Sequence, residues 1–254
     1  MLSRTILPAI ARVLTNTLPT RYWYSSALIV SYLAAGVLIC VGRWATKPHR
    51  FELAILLNRL LAFQTRSRRK FPVPWRWSGD SEEVVNHAAA HRHGVVYCSA
   101  HLPLIKVAVR ALMETGRTPT VALAAEPGPD QSIPIWGLTE RLPVLRVQHD
   151  VLLKTRTVLR AGGAIVLLVD TVQGEYSPNI FRLAAALRAR VVFFTAELEQ
   201  SGCVAVRFFP APWPACKDTA EISANLHALN REIVRISRRD RSPAFDTVPA
   251  SRLT

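Results

Sequence analysis

GVVYCSAHLPLIKVAVRALMETG, residues 94–116, decides the fold. An apolar run, GVVYCSA, stops abruptly at His101, a proline follows two residues later, and an amphipathic pattern then begins. A short apolar run bounded by a glycine and a turn predicts a buried strand, and the periodicity after Pro103 predicts a helix. The same alternation recurs downstream. Strand-length apolar runs fall at VVYCS (95–99), TVALAA (120–125), PVLRV (143–147), AIVLLV (164–169), VVFFTA (191–196) and CVAVRFF (203–209). Helix-like stretches lie between most of them: LPLIKVAVRALMETG, DVLLKTRTVLRAGG and NIFRLAAALRA. SGDSEEVVNHAAAHRH (78–93) opens with Ser and acids, which suits a helix start. This pattern predicts an α/β fold with a mostly parallel central sheet flanked by helices. The near-continuous apolar character of the strands fits burial on both faces.

Charge is distributed unevenly. The net charge is +14 over 254 residues. Residues 1–70 hold 11 Lys/Arg and one acid, Glu52, a net of +10; the remainder nets only +4. Within that basic end, residues 22–42 (YWYSSALIVSYLAAGVLICVG) carry no charged side chain. Twenty-one such residues suffice for a helix across a ~30 Å hydrocarbon core. Tyr22, Trp23, Tyr24 and Trp44 stand at its two ends, where interfacial aromatics belong. Arg43, Lys47, Arg50 and the cluster Arg66, Arg68, Arg69, Lys70 follow, and such cations are drawn to anionic headgroups. Two other origins for the run are a cleaved signal peptide, which its late start and lack of a small-x-small site disfavour, and a buried core helix. The larger basic cluster after the run favours a cytoplasmic C-terminal domain.

The chain therefore divides into a basic N-terminal segment (1–21), a membrane-anchor helix (22–44), a basic juxtamembrane helix and linker (45–77), an α/β domain (78–241) and a tail expected to be disordered (242–254). FPVPWRW (71–77) reads as a linker or an edge segment. Cys40, Cys98, Cys203 and Cys216 have no paired spacing, which disfavours a zinc site or a disulfide framework and favours a reducing compartment. His91 and His93 form an HxH pair with no third ligand in sequence range, so no metal site is expected.

In an open parallel sheet the site lies beyond the carboxyl ends of the strands. His101, Glu126, Asp170 and Glu197 each follow an apolar run at that edge. Any one of them can cap a helix. Together they bring an imidazole and up to three carboxylates to one rim, which suits general-base chemistry with a carboxylate fixing the imidazole tautomer. The sequence has no GxSxG elbow and no P-loop, which disfavours a serine hydrolase or an NTPase. A nucleic-acid partner is disfavoured because the basic excess flanks the apolar run and not an aromatic-interleaved surface.

Three stretches, HGVVYCSAHLPLIKVAVRAL (93–112), LKTRTVLRAGGAIVLLVDTVQGE (153–175) and FRLAAALRARVVFFTAEL (181–198), resemble the bacterial lipid A late (lauroyl/myristoyl) acyltransferases, within the lysophospholipid acyltransferase-like fold. The resemblance covers most of residues 22–235, including the N-terminal membrane helix. It implies transfer of a fatty acyl group from an acyl thioester, on acyl carrier protein or coenzyme A, to a glycolipid, lysolipid or other membrane-associated acceptor. It implies no further cofactor, and a place at the cytoplasmic side of a bacterial inner membrane. His101 falls on the family's histidine, in a His-x4-Asp/Glu motif. Here Lys106 stands where the family has its acid, and lysine cannot accept the imidazole N–H. Asp170 is then the first choice to orient His101, and Glu126 the second. If neither does so, two alternatives stay open: Lys106 faces solvent or an anionic substrate group and leaves His101 with water or a backbone carbonyl, or the chain is a catalytically inactive relative that binds lipid or acyl carrier protein. The stretch after Asp170, QGEYSPNIFR, also lacks the family's aromatic-Gly-Arg element. Lys106, Arg146, Lys154, Arg156 and Arg182 are the candidate substrate contacts. NREIVRISRR (230–239) continues a basic helix that could rest on headgroups or an acidic carrier protein.

Overall fold

A computed structural model describes residues 2–40, 50–65, 72–123, 132–134, 141–146, 150–169, 178–213, 216 and 218–238. The N-terminal end forms helix α1 (Leu2–Thr17), a single 3-10 turn (Thr20–Tyr22), α2 (Trp23–Cys40) and α3 (Arg50–Thr65). Then follow β1 (Trp75–Trp77), α4 (Ser81–Ala89), β2 (Val95–Ser99), α5 (Ile105–Glu114), β3 (Thr120–Leu123), β4 (Ser132–Pro134) and β5 (Arg141–Arg146). The chain continues through α6 (Val151–Arg160), β6 (Ala164–Leu168), α7 (Asn179–Leu187), β7 (Arg190–Leu198), β8 (Val204–Pro210) and α8 (Thr219–Arg238).

The fold is α/β. Seven strands lie in the order β1-β8-β7-β2-β6-β3-β5, and β4 pairs antiparallel with β5 at the far edge. β7, β2, β6, β3 and β5 are mutually parallel; β8 returns antiparallel to β7, and β1 joins β8 in parallel. The residues read as a linker or an edge segment thus supply the edge strand β1, where a proline-rich approach is tolerated. The tail expected to be disordered, 242–254, lies outside the described residues.

Strand period sends alternate side chains to two cores. Val95, Tyr97, Val192, Phe194, Ala196, Val206 and Phe208 share one buried cluster with residues of α1 to α5. Val96, Cys98, Ile165, Val191 and Phe193 share the other with Leu159 of α6, Phe181 of α7, and Ile222 and Leu229 of α8. This two-sided burial explains the unbroken apolar strands. Trp23, Ala27 and Ala35 of α2 and Leu57 and Leu60 of α3 belong to the first cluster, so the N-terminal helices share a core with the sheet.

Candidate functional site

Parallel pairing puts the carboxyl ends of β7, β2, β6, β3 and β5 on one rim, in that spatial order. His101 stands just beyond β2, between the ends of β7 and β6, three residues past Cys98, which pairs with Phe193 of β7. The turn that carries it is held from three directions. Ser99 Oγ donates to the Phe194 carbonyl at 2.6 Å. The Leu102 N–H donates to the Ala100 carbonyl at 2.7 Å, closing a tight turn. Leu104 is fully buried with φ +62°, and its N–H donates to Asn58 Oδ1 of α3 at 3.2 Å. A left-handed leucine costs about 1–2 kcal/mol, so burial of the side chain and the Asn58 bond must hold it there. His101 itself is exposed to solvent.

β6 runs alongside to the same rim, and the Val169 N–H donates to the Ser99 carbonyl at 2.8 Å. The next residue, Asp170, lies outside the described residues, as does Glu126 beyond β3. On the other side of β2, Glu197 is the next-to-last residue of β7, after six buried positions, and its carboxylate is nearly buried at 12% exposure. Arg235 of α8 donates to Glu197 at 3.1 Å and to Glu232 at 2.8 Å, and Arg207 of β8 donates to Glu232 at 2.7 Å. Burial pushes the Glu232 carboxyl up, but its bonds to Arg235 and Arg207 outweigh that and hold it below the ordinary value. Glu197 is therefore engaged as part of a charge network that ties α8 to the sheet. Pro103, Ala196, Glu197 and Leu198 also meet Arg50, Phe51, Ala54 and Ile236 around a small cavity. Beside it, Arg50, Glu197, Glu199, Gln200 and Ser201 line an open polar cleft of about 410 Å³.

Lys106 lies in the first turn of α5, partly buried. Burial lowers its pKa. The folded protein thus binds this proton less tightly than the unfolded chain does. The penalty is full at neutral pH and fades as pH climbs from the folded toward the unfolded lysine value. Lys106→Met is expected to raise the melting temperature at pH 7, with a smaller gain near pH ~10. A lower melting temperature at pH 7 would mean that the ammonium stabilises the fold.

The remaining candidates spread around the same edge. Arg146 is the last residue of β5 and pairs in register with Leu123 of β3. On α6, Lys154 is bound to Asp150 at 2.7 Å and Arg156 is exposed. Arg182 is exposed in the first turn of α7. The His91 and His93 rings are 5.6 Å apart next to the start of β2, at the opposite edge, and among the described residues no group of three or more metal-binding side chains is found. Burial raises the Cys98 thiol pKa well above its usual range.

Arg50, Asn58 and the Glu197–Arg235–Glu232–Arg207 network escaped sequence reasoning as site components. Glu197 was visible as a strand-end acid, but its partner lies 38 residues later on α8. Asn58 interrupts the apolar run of α3 next to Arg59, a pattern that an exposed face explains equally well. Comparison with known proteins adds no family to this description: no protein-family model matches the chain, and no curated protein matches it.

Proposed function

We propose that the protein is a membrane-associated acyltransferase that moves a fatty acyl group from an acyl thioester to a hydroxyl or amine of a membrane-associated acceptor. The observation that carries this is His101, exposed on a braced turn at the carboxyl rim just beyond β2, beside a strand that leads directly into Asp170. His101 takes the proton from the acceptor O–H or N–H as that atom attacks the thioester carbonyl. The tetrahedral intermediate collapses, the C–S bond breaks, and the His101 imidazolium returns its proton to the departing thiolate, which leaves as a free thiol. Asp170, or failing it Glu126, fixes the imidazole tautomer. Lys106, Arg146, Lys154, Arg156 and Arg182 are the cations placed to meet an anionic carrier or headgroup. Such a protein belongs at the cytoplasmic side of a bacterial inner membrane.

Lys106 favours a second function: a lipid A acyltransferase-like protein without turnover that binds lipid or acyl carrier protein. A buried cation five residues after the histidine supplies no acceptor for its N–H. Thiol release from long-chain acyl carrier protein and acyl-CoA, measured on detergent-purified full-length protein with membrane lipid extract, separates the two. Acceptor-dependent release is expected. No release, with acyl carrier protein still bound, would leave the second.

A further inference from the structure

We infer that α2 lies in one leaflet of a lipid bilayer as part of the folded domain, and that the chain does not cross the membrane there. This is independent of acyl transfer.

By length and composition, the helix at Thr20–Cys40 could span a bilayer. Its contacts point elsewhere. One face is docked: Trp23, Ala27, Ser31 and Ala35 are fully buried. Tyr24 Oη donates to the Gly202 carbonyl in the β7–β8 turn at 2.6 Å. Leu28 sits so close to Gly202 that a Cβ there would come within 2.6 Å of it. The opposite face is an outward apolar stripe of Tyr22, Ile29, Tyr32, Leu33 and Val37, with Ile29 59% and Leu33 65% exposed.

The connection to α3 excludes a crossing. Ser201, next to the Gly202 that receives Tyr24, lines the polar cleft together with Arg50, the first residue of α3. The start of α2 and the start of α3 therefore lie at the same rim of the domain. Cys40 is about 24 Å along the helix axis from Tyr24. If α2 spanned, the nine residues 41–49 would have to return across the hydrocarbon core. Their reach of ~33 Å allows this only as an extended chain, with its backbone N–H and C=O groups unpaired in lipid. That chain includes Arg43 and Lys47, which are costly at the bilayer centre.

A lipid leaflet is the occupant that fits the stripe. The Arg21 guanidinium stacks 4.7 Å over the Tyr22 ring at one end, a cation and an aromatic ring suited to the headgroup layer. The first 70 residues carry a net charge of +10, complementary to anionic lipid and repulsive to a second copy of the same face. α2 has no charged face of its own: the protein core covers one side of it, the cations flank it, and the outward apolar side is left to meet acyl chains.

The test uses full-length Arg21→Cys and Thr46→Cys variants in sealed inverted and right-side-out inner-membrane vesicles, treated with a membrane-impermeant maleimide and read by peptide mass. Both positions are expected to label from the same side. Labelling from opposite sides would overturn the inference, and so would a protein that does not sediment with the vesicles. Leu33→Asp supplies a second readout. It is expected to lower co-sedimentation with vesicles of phosphatidylethanolamine and phosphatidylglycerol at least ~10-fold with an unchanged melting temperature. Unchanged co-sedimentation would equally contradict the assignment.

Discussion

His101→Ala is expected to abolish acyl transfer, with a loss of about 10²–10⁴-fold in turnover, while leaving the fold intact. The two halves of this prediction come from different observations. The loss follows from the proposed role: without the imidazole the proposed base that takes the proton from the attacking hydroxyl is gone. The intact fold follows from exposure. His101 is open to solvent, and the turn around it is held by Ser99, Leu102 and Leu104 through bonds that do not involve the imidazole. A surface substitution of this kind shifts stability by about 0.5 kcal/mol or less. Parallel measurement of thiol release and melting temperature checks both. Transfer within twofold of the wild type would remove His101 from the mechanism. A large drop in melting temperature would make the loss of activity uninformative, and thiol release by His101→Gln would then decide.

Gly94→Ala is expected to be among the most damaging single substitutions for stability. Gly94 has φ +77°, and an added Cβ would stand 2.7 Å from the Leu159 carbonyl oxygen, 2.8 Å from that of Gly163 and 2.9 Å from Leu159 Cα. All three are backbone atoms, so no side-chain rotation relieves the clash. The site is also a junction. The Gly94 carbonyl accepts from the Arg190 N–H at 3.2 Å, and the Val95 N–H donates to Gly163 at 3.1 Å. Moving it disturbs the starts of β2, β6 and β7 together. Left-handed strain of about 1–2 kcal/mol adds to an overpacking cost of about 1–3 kcal/mol. The sum, about 3 kcal/mol, corresponds to a fall in melting temperature on the order of 10 °C for a chain of this size. A fall below ~2 °C would mean that the loops around Gly94 can part without cost.

Local sequence pattern made the strands legible because both faces of each are buried. VVYCS has the bounds of β2, and AIVLLV (164–169) runs one residue past the end of β6 at Leu168. The helices at 105–114, 151–160 and 179–187 were readable from their apolar spacing because each buries one face only. β4 was not: Ser132–Pro134 is three residues with a terminal proline, and its pairing with β5 is a tertiary event. The 22–42 run showed its length and lack of charge, which are the same for a span, a core helix and an interfacial helix. The docking of this helix on the domain, through a bond from Tyr24 to a turn 178 residues away, is a tertiary event that the run itself does not show. At the candidate site, His101 and Glu197 were visible because a charged or ionisable residue ending an apolar run stands out. The engagement of Glu197 by Arg235 was not visible, since it depends on how α8 folds back across β7. Asp170 and Glu126, the two carboxylates assigned to orient His101, fall outside the described residues. Their part in the reaction is therefore a matter for chemistry.

The most direct measurement follows the acyl group itself. Full-length protein in lipid nanodiscs containing bacterial membrane lipids would be given acyl carrier protein charged with a radiolabelled fatty acyl thioester. The account predicts that label moves into an ester or amide of a membrane acceptor, with one thiol freed for each acyl group transferred, and that His101→Ala stops both. A thioester that stays intact with every acceptor, while carrier protein or lipid remains bound, would contradict it.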